Sequence, residues 1–157
     1  MIFILRHKRE NLKKCSLSGL EKREGLIFST YPTDPWPDLS SSLILKVGAP
    51  PLTKADAKRP LVLIDGTWRL AQIMEKQLPC QLEARSLPEG WKTAYPRRQT
   101  DCPDPEAGLA SIEALYVACL ILGKSTDGLL DGYYWKDLFL EKNNRKIARS
   151  SSWKDHA

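Results

Sequence analysis

Leu61-Val-Leu-Ile64 runs directly into Asp65-Gly66-Thr67-Trp68. The first four residues are apolar on both faces of an extended chain, the pattern of a strand buried within a parallel sheet. Asp65-Gly66-Thr67 interrupts that run sharply. Trp68 to Gln77 then reads as a helix, with Thr67 placed to cap its first turn. Strand, glycine turn and helix make a βα unit. In open α/β sheets the ligand crevice lies beyond the carboxyl ends of such strands, so Asp65 to Trp68 are expected to border it.

The segments on either side extend the same pattern. Ile2 to Leu5 and Leu26 to Thr30 are short apolar runs of strand type, and Leu43 to Val47 is a third. Between the first two, Asn11 to Glu24 is polar, with Leu12, Leu17 and Leu20 spaced for a weak helical stripe. Tyr31 to Asp38 carries Pro32, Pro35 and Pro37, which forbids a central strand or helix there. Gly48 to Pro60 reads as a loop. Beyond the βα unit, Leu82 to Leu87 is a candidate strand, and Pro88 to Gly108 is a long polar loop of the kind that carries function. In Leu109 to Leu122, Ile112, Leu115, Tyr116 and Cys119 follow the spacing of a buried helix face. Leu129 to Ala148 is expected to form a second helix, with the serine-rich end fraying from Arg149. The class predicted is α/β, a mostly parallel sheet with flanking helices.

The 157 residues fit a single domain, 1–157, with an N-terminal lobe over 1–60 and a ligand-binding lobe over 61–148. Hydrophobic residues make up 42% and charged residues 27%, which suits a packed core and argues against wholesale disorder. Twenty-four Lys and Arg against 19 acids give a net charge of +5, a modest bias toward polyanions such as nucleic acid. No apolar run is long enough to span a bilayer. Met1 to Leu5 followed by Arg6-His7-Lys8-Arg9 reverses the charge order of a signal peptide, so a cytoplasmic protein is expected. Cys15, Cys80, Cys102 and Cys119 are scattered, with only His7 and His156 as imidazoles, which argues against a metal site. Disulfides are not expected, and Cys119 reads as a small core residue.

Four elements carry candidate chemistry. They are Asp65-Gly66-Thr67-Trp68, Tyr95-Pro96-Arg97-Arg98-Gln99, Gly108 to Ala114 with Glu113, and His7-Lys8-Arg9-Glu10. Glu113 shares a helix side with Leu109, Tyr116, Val117 and Leu120, so its carboxylate must be paired or face a polar cavity. Each element has a plain structural reading as well. Asp65 and Thr67 serve as turn and cap residues, Trp68 as core, Glu113 as partner to Arg97 or Arg98, and His7 as a hydrogen-bonding group. The two arginines also read as a solvated loop face, although Tyr95 and Trp91 nearby offer rings on which a base could stack.

Together these elements resemble the DTW-domain family, the aminocarboxypropyltransferases of tRNA and small-subunit rRNA. The Asp-x-Thr-Trp signature reads Asp65-Gly66-Thr67-Trp68. The arginine- and glutamine-containing segment reads Arg97-Arg98-Gln99, and the Ser-x-Ile-Glu-Ala helix is similar to Ser111-Ile112-Glu113-Ala114. The family's His-Pro-x-Glu element has Lys8 in place of proline here. Cysteine pairs that many tRNA-type members carry before that element have no counterpart in this sequence. Lys13-Lys14-Cys15 resembles the rRNA-type branch instead.

The resemblance implies a SPOUT-like fold with a knotted C-terminal half and S-adenosyl-L-methionine as cofactor. It implies transfer of the 3-amino-3-carboxypropyl chain, rather than methyl, to a uridine ring nitrogen. Asp65 is the candidate catalytic residue, as a base or as a group that orients the acceptor. Thr67, Trp68, Leu87, Ser111 and Glu113 are the candidate cofactor contacts, Glu113 either directly or by orienting a neighbour. Arg6, Lys8, Arg9, Arg97 and Arg98 suit RNA phosphates. Structured RNA is the expected partner, tRNA first and small-subunit rRNA second. A methyltransferase and a non-catalytic RNA-binding module are the rival readings.

Overall fold

The computed structural model describes residues 1–8, 17, 19–96 and 109–154. The chain divides into two compact units, one of Met1–Pro51 with Lys58–Ser86, the other of Leu52–Ala57 with Leu87–Ala157.

The first unit is built on five parallel strands, β1 (Ile2–His7), β2 (Leu26–Tyr31), β3 (Leu43–Leu45), β4 (Leu61–Asp65) and β5 (Glu83–Arg85). Their order across the sheet is β2-β1-β4-β3-β5. The apolar runs at Ile2 and Leu61 occupy the positions where a strand is flanked on both sides. All six residues of β1 are buried. Phe3, Leu5 and Val62 point to one face, where they pack with Leu39, Ile44 and Met74. Met74 lies on α1 (Trp68–Lys76), the helix that follows β4. Ile2, Ile4, Leu61 and Leu63 point to the opposite face and are also buried. A two-faced apolar strand needs both faces covered, and these strands have that. Thr67 caps α1 as its sequence position predicts, its hydroxyl accepting from the Leu70 amide at 3.4 Å.

Strand connectivity locates the switch point of the sheet. From β1 the chain moves to β2 on one side, and from β4 it moves through α1 to β5 on the other. β1 and β4 are neighbours, so the sheet's topological switch point lies between their carboxyl ends. The register pairs Arg6 with Asp65 at that point.

Among the described residues, the second unit holds three α-helices. α2 (Ser111–Leu122) is buried at ten of its twelve positions. It is thus apolar all round rather than on one stripe, which is the signature of a core helix. Gly123, with φ of 73°, closes it in the left-handed conformation.

Two helical expectations differ from the structure. Leu129 to Ala148 is not one helix. Residues 129–135 form turns, and α3 (Lys136–Lys142) and α4 (Asn144–Lys154) meet at Asn143. The Asn143 amide donates to the Phe139 and Lys92 carbonyls at 2.8 Å each, and its oxygen accepts from the Lys92 amide at 2.8 Å. A side chain that competes for helix carbonyls in this way ends a helix locally. α4 then runs on to Lys154, past the point where fraying was expected. The expected helix over 11–24 falls partly outside the described residues, and residues 21, 22, 24 and 25 are in turns.

Phe139 is fully buried and meets Tyr116 edge-on, ring centroids 5.9 Å apart. Phe139→Ala is expected to cost about 3–5 kcal/mol, read as a lower urea midpoint at unchanged slope.

Candidate active site

At the switch point, Arg6 and Asp65 face the same side of the sheet from adjacent strands. Arg6 is 6% exposed and Asp65 3%. The guanidinium Nε donates to Asp65 Oδ2 at 3.4 Å. Its Nη1 reaches Glu21 Oε1 at 3.3 Å. The guanidinium carbon sits 4.8 Å from the centre of the Phe28 ring, a cation–π contact supplied by β2. The Nη2 group is buried with no hydrogen-bond partner among the described residues.

Glu21 is in turn fixed by the Gly19 amide, which donates to its second oxygen at 2.8 Å. Burial pushes the Glu21 carboxyl up, but its own amide, the Gly19 amide and Arg6 together hold it below the ordinary glutamate value. The stability linked to this shift is present above the unfolded-state value and is lost as pH falls through the lower folded-state one. Glu21 is largely solvated, so the contribution is small.

The other residues at this strand end follow the register. His7, buried, meets Tyr31 in a tilted contact with ring centroids 5.6 Å apart, and Tyr31 meets Trp36 in another at 5.4 Å. Lys8 is exposed, and its backbone amide donates to the Tyr31 carbonyl at 2.8 Å. Thr67 is exposed at the cap of α1, and Trp68 is the first residue of that helix. Arg9, Arg97 and Arg98 lie outside the described residues.

The second unit contains Leu87, Ser111 and Glu113. Leu87 and Ser111 are half-buried, Ser111 in the first turn of α2. Glu113 is completely buried and accepts four hydrogen bonds. Oε1 receives the Thr93 hydroxyl at 2.6 Å and the Ala110 amide at 2.7 Å. Oε2 receives the Ala94 amide at 2.8 Å and the Tyr133 hydroxyl at 3.1 Å. These four bonds fill the acceptor capacity of an ionised carboxylate. The Ala110 bond is the back-reach of a capping box, and the others tie Thr93, Ala94 and Tyr133 to the start of α2.

The segment from Leu87 to Tyr95 is fixed although it has no regular structure. Lys146 Nζ donates to the Glu89 carbonyl at 2.8 Å and lies over the Trp91 ring, and the Asn143 amide brackets Lys92. Side chains of Glu113, Asn143 and Lys146 thus hold a backbone that no helix or strand supports. Thr93, Asn143, Tyr133, Glu21 and Phe28 were not picked out by the sequence as site residues. The demand of Glu113 for partners signals that donors exist, but it does not identify them. Among the described residues no group of three His, Cys, Asp or Glu is placed to hold a metal ion, and no helix is long and apolar enough to cross a membrane.

The chain matches no protein-family model and no curated protein. Among solved structures it is similar to the SAM-dependent rRNA:acp-transferase Tsr3 from Vulcanisaeta distributa, with 26% sequence identity and a TM-score of 0.72. That match covers 96% of this chain and 82% of the other. The α/β fold of this chain is therefore similar, over nearly its whole length, to that of an aminocarboxypropyltransferase.

Glu113→Gln replaces two acceptor positions with donors that face existing donors. It is expected to cost about 2–3 kcal/mol in chemical denaturation. The Ala94 and Ala110 amides should lose hydrogen-exchange protection ahead of the rest of the second unit.

Proposed function

We propose that this protein transfers a 3-amino-3-carboxypropyl group from S-adenosyl-L-methionine to a uridine ring nitrogen in ribosomal RNA. The observation that carries the reading is the likeness, along 96% of the chain, to an SAM-dependent rRNA:acp-transferase. The order of acceptors expected from the sequence changes on that ground. rRNA comes first and tRNA becomes the comparison arm. The DTW-type signature, a SPOUT-like C-terminal half and a cytoplasmic setting belong to the same proposal.

Support for such a cofactor comes from the segment that follows β5. A nucleoside edge is read by polar groups fixed in advance, and Leu87 to Tyr95 is an irregular segment held by Glu113, Asn143 and Lys146. Thr67, Trp68, Leu87 and Ser111 are the residues assigned to the cofactor. Glu113, with its oxygens already engaged, acts by holding the segment in place. When bound, S-adenosylmethionine supplies an electrophilic γ-carbon whose bond to sulfur breaks as the bond to nitrogen forms.

The acceptor nitrogen must lose a proton, because an imide is mostly protonated at neutral pH. Asp65 receives that proton from the imide nitrogen in this reading, on a carboxylate fixed at the strand end by Arg6. A general base so placed contributes about 10²–10⁴-fold. Lys8, exposed beside the switch point, is assigned to the RNA backbone, together with Arg9, Arg97 and Arg98.

The test uses S-adenosylmethionine labelled separately in the carboxyl and methyl carbons, incubated with small-subunit rRNA and in parallel with tRNA. Carboxyl label in rRNA without methyl label is expected. Carboxyl label in tRNA alone would move the acceptor, methyl label would make the protein a methyltransferase, and no label in either RNA would leave a binding module. In the active arm, Asp65→Asn is expected to lower kcat by about 10²-fold or more with the fold intact by circular dichroism.

A further inference from the structure

Arg6 is one of the few charged side chains enclosed in the first unit, and its surroundings are not those of a phosphate contact. A residue that grips RNA backbone keeps its donors for phosphate, whereas Nε and Nη1 of Arg6 are committed to Asp65 and Glu21 and the face of its guanidinium to the Phe28 ring. The arrangement is also a poor stabilising device. Taking a guanidinium out of water costs desolvation that its ion pairs need not repay, so a buried pair is weak evidence for stability. An apolar residue at this position would continue the run of β1 without that cost. The cation must therefore be explained by what it holds.

What it holds is Asp65. Nε points to Oδ2 across the β1–β4 register, at the carboxyl ends of the two strands that flank the switch point. Behind it, Glu21 anchors Nη1, and Glu21 is itself fixed by the Gly19 amide. The ring of Phe28 fills one side of the guanidinium. A planar fork restrained at two edges and one face has little freedom to turn. We propose that Arg6 is a positioning residue, held by Glu21 and Phe28, that orients the Asp65 carboxylate toward the acceptor base. Its role is then to act through Asp65 and not to contact RNA phosphate.

The inference rests on the transfer reading given above, and it predicts a specific pattern of coupling. Arg6→Gln should lower kcat for transfer by about 10²-fold, the cost of misplacing a reacting group by about 1 Å. The dissociation constants for cofactor and RNA should stay unchanged. On an Asp65→Asn background, Arg6→Gln should cause no further loss, because residues that act as a unit are non-additive. Glu21→Gln, at a partly exposed position that spares the core, should give a several-fold loss of the same kind, also absent on the Asp65→Asn background. This second variant keeps the test available if Arg6→Gln folds poorly. Arg6→Lys, which keeps the charge but not the fork, should recover only part of the rate.

Salt dependence separates the two roles. Lys8→Ala, a phosphate contact, should reduce the slope of log K against log salt for RNA binding by about one, whereas Glu21→Gln and Arg6→Gln should leave it unchanged. Independent, additive losses from Arg6 and Asp65, or a slope reduced by about one in Arg6→Gln, would overturn the inference and leave the transfer reading standing. A wild-type chain that transfers nothing to either RNA would overturn the transfer reading, and this inference with it.

Discussion

The pairing of β1 with β4 is the constraint on which the first unit depends. Two short apolar runs almost sixty residues apart lie side by side, each buried on both faces, and their parallel register decides which residues finish together. A shift of one residue would turn Arg6 to the face occupied by Phe3 and Leu5, away from Asp65. The apolar residues that precede them hold that register. Ile2 and Ile4 oppose Leu61 and Leu63 on the face that carries Arg6 and Asp65. The core thus does more than supply stability, since it sets the alignment of two charges that neither strand would place alone.

A comparable division of labour appears in the second unit, with a different device. Here a single carboxylate organises irregular backbone. Glu113 sits on a helix that is otherwise apolar, and its cost of burial is offset because each oxygen accepts two hydrogen bonds. Three of the donors come from outside α2 and its cap, so the helix transmits its rigidity to Thr93, Ala94 and Tyr133. Asn143 and Lys146 repeat this from α4 and the joint before it, reaching back to Lys92 and Glu89. A loop fixed by side chains can present backbone groups in directions that a strand or helix does not allow, which is what recognition of an asymmetric nucleoside requires.

Much of the sheet was legible because its signal is local. Leu61 to Ile64, the glycine turn and the Thr67 cap lie within a few residues of one another, and each has its own physical reason. The strand runs at Ile2 and Leu26 are equally local. Leu129 to Ala148 misled in two ways: Asp131-Gly132 is a local turn signal that ends any helix over 129–135, while the break at Asn143 depends on Lys92, fifty-one residues away. Arg6 misled for a related reason. It stands at the head of the Arg6 to Arg9 cluster, and a basic cluster reads as solvent-facing. Only the strand extending to His7, one turn of pleat beyond the apolar run, places Arg6 inside. The requirement that Glu113 be paired was legible, whereas the identity of its partners was not, because two of them are backbone amides and carry no sequence signal.

The distribution of charge bears on how such a protein would hold RNA. A net charge of +5 suggests a diffuse attraction, but many of the described cations are already engaged. Arg59 pairs with Glu83, Lys46 with Glu75 and Lys136 with Asp131, while Lys142 and Lys146 donate to the carbonyls of Thr93 and Glu89. Exposed pairs of this kind are individually weak, so a phosphate can displace the acid partner at little cost. The lysines bound to loop carbonyls are different, because removing them would loosen the segment they fix. RNA affinity would then rest on the cations of surface pairs and on Lys8, Arg9, Arg97 and Arg98, and Lys142 and Lys146 would contribute through the shape of the loop. Charge count and binding surface are in that case separate properties of this chain, and the first is a poor guide to the second.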